Sequence, residues 1–219
     1  MPATSPLGRP VGASGEATRT RIINAAMRCV AEMGYSKATI RSIARMAGMT
    51  SASLYNYFPN RSALMTAAIA ARADIALPRL HLAAQCSGST IDRIEAVLDE
   101  SGKLMHEYPD LAAFEWAIRA EGPSLTQVQT AEVQFLELRH IVEGIVDDGV
   151  RRGELSKDAD ARAAVAVLYA LLHGLTELAA SASPAAYHTT LEASKRLIRG
   201  TLFEHDPEPV RPAAEPASP

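Results

Sequence analysis

The sequence predicts an all-α protein of about nine helices, and three observations carry that prediction. Apolar residues recur three and four positions apart along almost the whole chain, as one face of a helix requires. Strand-like alternation is scarce, and Ala and Leu dominate over Val, Thr and the aromatics. Capping residues, glycines and prolines punctuate the chain at helix-length intervals.

Taken in order, residues 1–14 are rich in Pro, Gly, Ser and Thr and are expected to form a flexible arm. The first helix runs from about Glu16 to Met33 on the stripe Ile22, Ile23, Ala26, Met27 and Val30, and Gly34 stops it. Thr39 caps a short helix over 40–47, broken by Gly48. Thr50 caps a second over 51–58, ended by Pro59. Asn60 caps a fourth helix carrying Leu64, Met65, Ala68 and Ile69, which Pro78 closes or kinks. Beyond it, Ser89 and Asp92 form a capping box ahead of Ile94, Leu98, Ser101 and Met105. Pro109 opens a short helix that Gly122 and Pro123 end. Ser124 and Gln127 form a second capping box for a long helix seamed by Phe135, Leu138, Val142 and Ile145, with Gly149 and Gly153 as breakers. An Ala/Leu-rich helix begins at Asp158 or Asp160, and a last helix follows Pro184 to about Glu204. The proline-rich stretch 206–219 is expected to be a disordered tail.

Charge divides the chain. Residues 1–72 hold 9 Lys and Arg against 2 Asp and Glu, a formal +7, and the whole chain carries -3, so the remainder stands at -10. A basic first third suits a polyanion, either nucleic acid or a membrane surface. The segment 39–58 favours the first. It is two short helices around a glycine, a helix-turn-helix, with Ile43, Ala44, Ala47, Met49, Leu54 and Phe58 able to form the small core. Its outward residues are suited to DNA. Thr39, Thr50, Ser51 and Ser53 offer short hydroxyls, Tyr55 and Tyr57 phenolic donors, and Asn56 an amide. Arg41 and Arg61 offer guanidinium groups, and Arg41 can read guanine bidentately.

Over Glu16 to Arg72 the sequence resembles the TetR family of regulators. The resemblance is carried by Gly34-Tyr35, Ala38-Thr39, Ile43-Ala44, Ala47-Gly48 and Ser53-Leu54-Tyr55-x-Tyr57-Phe58. Arg61 stands where that family usually has lysine, and keeping the charge is expected to keep a phosphate contact. The second half matches loosely, through Gly153-Glu154-Leu155 and Leu172-His173-Gly174-Leu175. The resemblance implies a DNA-binding domain over 15–75 and a helical ligand-binding and dimerisation domain over 76–205. It also implies a homodimer on a near-palindromic operator, a small-molecule effector and a cytoplasmic repressor.

Three further expectations follow. Inward seams nominate Leu98, Ser101, Met105, Phe114, Trp116, Phe135, Leu138, Val142, Tyr169 and His173 as pocket lining, suited to a lipophilic or aromatic ligand. The last two helices nominate Leu168, Leu171, Leu172, Leu175, Leu178, Leu191, Leu197, Ile198 and Leu202 as the dimer interface. No catalytic residue, cofactor or metal site is assigned. His173 and Glu177 stand at i, i+4 without a third ligand by spacing, and Glu115 and Arg119 read as a surface ion pair. P-loop, G-x-S-x-G, H-E-x-x-H and dinucleotide-loop motifs are missing, which leaves an all-α enzyme as the competing class, beside a DNA-binding protein without a ligand. The stretch Ala159 to Ala182 is interrupted by Asp160, Arg162, His173 and Glu177 and is a poor membrane span.

Overall fold

The computed structural model describes residues 11–120 and 128–203, and the side chains of these except 11–14, 119 and 128–135. The described residues form nine helices: α1 Val11–Met33, α2 Ile40–Met46, α3 Ser51–Tyr55, α4 Arg61–Ala84, α5 Thr90–Glu107, α6 Pro109–Ala120, α7 Val128–Arg151, α8 Ala161–Ser181 and α9 Pro184–Arg199. The arm to residue 10, the second capping box at Ser124 and the tail from 206 lie outside the described residues.

Helix boundaries differ from the sequence reading where tertiary packing overrides a local signal. α1 begins at Val11, inside the expected arm, because the last proline before it is Pro10 and nothing after it forbids a helix. α4 runs through Pro78 to Ala84. Pro78 is exposed, while Leu80 and Ala84 beyond it are buried against the bundle, so packing on both sides carries the helix past the missing N–H. α3 stops at Tyr55, with residues 56 and 57 in a turn. The expected caps Thr39, Thr50, Asn60, Ser89 and Asp160 all accept hydrogen bonds from the first turns of their helices.

Two apolar clusters organise the fold. One joins α1 to α4 and includes Ile22, Val30, Ile43, Leu54, Phe58 and Leu64. It also takes in Phe114 and Ile118 of α6. The other, with Leu98, Leu104, Ile145, Leu172 and Leu191, binds the far half of α4 to α5, α7, α8 and α9. α4 therefore belongs to both parts, and α6, a member of the first cluster, also packs on α8. Between them, the guanidinium of Arg72 on α4 bonds the carboxylate of Glu115 on α6, and the Glu115 side chain is only 3% exposed. This corrects the surface placement of Glu115; the Arg119 side chain lies outside the described residues. Glu115 points inward because α6 packs one face on α1.

Gly149 is a second correction. It lies inside α7, which ends at Arg151, and Gly153 with φ 70° makes the turn. A Cβ at Gly149 would sit 2.2 Å from the Thr90 hydroxyl and 2.8 Å from Leu155. That hydroxyl and the Thr90 backbone N–H donate to Glu154 at 2.7 and 2.6 Å, and these two bonds hold the Glu154 carboxyl below the usual carboxylate range. Glycine here permits close approach of α5, not a break in the helix. Gly149→Ala is expected to cost about 1–3 kcal/mol in urea unfolding. Adding Thr90→Ala should recover part of the loss, whereas a neutral Gly149→Ala would show that the two helices stand apart.

Candidate nucleic-acid interface

The helix-turn-helix is set by its own small core. Ile43, Ala44, Leu54 and Phe58 are almost wholly buried, and the alanines let α2 and α3 lie close. Gly48 has φ 68°, a left-handed conformation that a side chain resists, and it turns the chain between the helices. Arg19 of α1 fastens the back of this unit. Its guanidinium lies 4.3 Å from the Phe58 ring and donates to the Tyr57 carbonyl at 3.2 Å, so it is no simple solvated cation.

The outward face contains an open concavity bordered by Arg41, Ala44, Arg45, Gly48, Met49, Thr50 and Ser51. Arg41 and Arg45 are exposed, and their guanidinium groups have no hydrogen-bond or ion-pair partner among the described residues. Tyr55 is half exposed, Asn56 is exposed, and Tyr57 is half buried against the core. Thr39, Thr50 and Ser53 are already engaged. Thr39 shares a capping box with Ser42, and the Thr50 hydroxyl meets the Ser53 N–H at 3.1 Å and its hydroxyl at 2.9 Å. Arg45 was not singled out from sequence. Its signal was present in the i, i+4 spacing from Arg41, which puts both guanidinium groups on one face of α2.

Arg61 has a structural role beside the expected phosphate contact. Its Nε donates to the Ala38 carbonyl at 2.7 Å, its second terminal nitrogen bonds the Tyr35 carbonyl, and its carbon lies 4.1 Å from the Tyr35 ring. It clamps the start of α4 to the loop between α1 and α2 with two of its nitrogens. Lysine can supply one charge but not the planar fork and stacking together. Both Arg61→Ala and Arg61→Lys should lower unfolding free energy by about 1–3 kcal/mol. A phosphate contact alone would leave thermal stability unchanged in both.

The nominated pocket residues do not gather. Leu98 and Val142 border a void of about 10 Å³ with Leu168, Leu171 and Leu172, room for about one water molecule at most. Phe114 belongs to the core shared with the DNA-binding head, and Trp116 is 43% exposed, because α6 turns its inner face to α1. Tyr169 and His173 pack ring to ring at 4.4 Å, Leu138 leans on the bundle core, and Ser101 is partly exposed. The Phe135 side chain lies outside the described residues. Met105 does line the larger opening, a groove of about 660 Å³ between α5, the start of α6, α8 and α9.

The family model for bacterial regulatory proteins of the tetR family matches residues 22–68, which are the helix-turn-helix and its supports. Over these residues the chain carries the helix-turn-helix of the tetR family. The chain is 24% identical over 162 residues to the fatty acid metabolism regulator protein of Bacillus subtilis, covering 68% of this chain and 76% of that one. It is 26% identical over 159 residues to the HTH-type transcriptional regulator UidR of Escherichia coli, covering 72% and 79%. A crystal structure of the regulator FadR from Bacillus subtilis in complex with stearoyl-CoA matches its fold with a TM-score of 0.69 at 20% identity, over 83% of this chain and 98% of that one. The matched segment and the relatives together mark the chain as a DNA-binding transcription regulator.

Proposed function

We propose that this chain is a cytoplasmic, homodimeric repressor that sets α3 into successive major grooves of a near-palindromic operator and is released by a small-molecule effector. The observation that carries the DNA surface is the pair of unengaged guanidinium groups, Arg41 and Arg45, beside the α2–α3 concavity. In this docking the Tyr55 and Asn56 side chains reach phosphates or base edges from α3, and Arg41 reads a base.

Two features support the dimer. α8 is long and apolar enough to cross a membrane by length and composition, and only 17% of its apolar window is buried. Its exposed residues Ala163, Val167, Ala170 and Gly174 repeat at helical spacing, and Val167 is 67% exposed. Leu197 on α9 is 49% exposed. A partner's α8 and α9 would cover this face at close approach and give the two-fold symmetry a palindrome needs. The nominated interface shifts accordingly. Leu172, Leu175 and Leu191 are buried in the monomer's own core, and Leu168, Leu171 and Ile198 lean on it. Leu178 and Leu202 are half buried, and Leu197 alone among the nine is freely presented.

The effector reading is supported by α4, which runs through both apolar clusters, and by α6, which packs on both α1 and α8, so a shift in the bundle reaches the head through them. The stearoyl-CoA bound to the FadR relative favours a ligand with a lipophilic part. Selection of operator fragments from random DNA tests the DNA assignment. Enriched near-palindromic sites are expected, and Arg41→Ala should cost about 1–3 kcal/mol with loss of preference at one base position. Arg45→Ala should weaken all sites about equally and reduce the salt dependence. Unselective binding, or unchanged affinity in both variants at fixed salt, would refute it.

A further inference from the structure

The groove between α5, α6, α8 and α9 has an apolar floor and an uneven charge. Met105, Pro109, Tyr187 and Leu191 supply the floor. At one end Lys195 bonds Asp99 at 2.9 Å and Glu192 at 2.8 Å, two carboxylates on a single ammonium. At the other end Glu107 and Glu100 are met by Arg79 and Lys103, two anions with two cations. With histidines counted neutral, the groove is left with one negative charge, located at Asp99 and Glu192. Between the ends stands Tyr187, whose hydroxyl makes no hydrogen bond with a described residue. Burial first, and the Asp99 charge second, push that hydroxyl's pKa up, so it stays neutral and its ring keeps a face for a cation.

From this pattern we infer that the groove binds an amphipathic organic monocation, its ammonium at Asp99 and Glu192 and its apolar body along Met105, Tyr187 and Leu191. The volume, about 660 Å³, is that of a small-molecule site. A neutral apolar ligand would leave the excess charge unmatched, and an anion would add to it. The lining of the groove does not include Val167, Ala170, Gly174 or Leu197, the residues that the proposed dimer covers. Its occupant would touch Pro109, the first residue of α6, and Glu107, whose carboxylate is held by Arg79 on α4. The effect on DNA rests on the regulator reading above; the binding itself does not.

Calorimetry of the full chain with submicellar octyltrimethylammonium, 1-octanol and octanoate tests the site. The cation is expected to bind saturably, at least tenfold more tightly than either partner. Glu192→Lys turns the local charge from minus one to plus one and should reverse the order, favouring octanoate. Glu192→Gln, isosteric at an exposed position, should weaken the cation and keep the helical circular dichroism. Equal binding of the three probes, or cation affinity unchanged in Glu192→Lys, overturns the site. Operator titrations with and without the cation separate the two readings. An operator affinity that falls with the cation supports the effector role, and cation binding with unchanged operator affinity overturns that role. Failure of the unliganded protein to bind any operator refutes the regulator assignment and not the groove.

Discussion

Replacing Glu115 with Ala or Gln is expected to lower the unfolding free energy by about 3–5 kcal/mol, the usual result of leaving one half of a buried ion pair. Both partners are enclosed, Glu115 at 3% exposure and Arg72 at 11%, and the guanidinium cannot shed its charge. The effect should exceed that of any surface pair in the molecule, since exposed bridges such as Arg28 with Asp110, 3.5 Å apart, contribute about 0–1 kcal/mol. The double replacement Arg72→Met with Glu115→Leu removes both charges and should recover most of the loss. Urea unfolding of the four proteins forms a complete cycle. A single-variant loss under 1 kcal/mol would mean that water reaches the pair. Because this pair ties α4 to α6, the apolar double variant also asks whether the tie sets the angle of the head. Full stability with altered operator affinity is the expected signature.

The second large effect belongs to the proposed dimer. Val167→Glu combined with Leu197→Glu places four charges in the interface of two chains while leaving each monomer's core alone, since both side chains face outward. Sedimentation should show monomers. Operator affinity should fall by about 10²-fold or more, because the second head no longer benefits from the first being bound. Substituting Leu175 instead would test nothing about assembly, since that residue is core and its loss would unfold the chain. If the double variant remains dimeric, or the wild type is monomeric at micromolar concentration, the two-headed mechanism fails.

Much of this molecule is legible without coordinates because its signals are local. Caps at Thr39, Thr50, Asn60 and Ser89 act on the next three residues, and the turn at Gly48 needs only one backbone angle. Periodicity at three and four residues is likewise a property of a single helix, so the nine helices of the described residues and the small core of the DNA-binding head follow from the chain alone.

What sequence could not supply is which helix meets which. An apolar stripe says that a face is covered, but not by what. Leu172, Leu175 and Leu191 are thus as consistent with a partner chain as with their own bundle, and only packing assigned them to the bundle. The same ignorance made Glu115 a surface residue and Gly149 a helix breaker, and hid the clamp that Arg61 forms on the loop before α2. Arg72, Thr90 and Tyr35, which decide their roles, lie 43, 59 and 26 positions away. The sequence by itself determined the helices, most of their N-caps and the face proposed to meet DNA, because those depend on neighbours within one turn. The tertiary structure alone decided the buried ion pair, the close approach at Gly149 and the charged groove, because each arises where two distant helices exclude water from the same place.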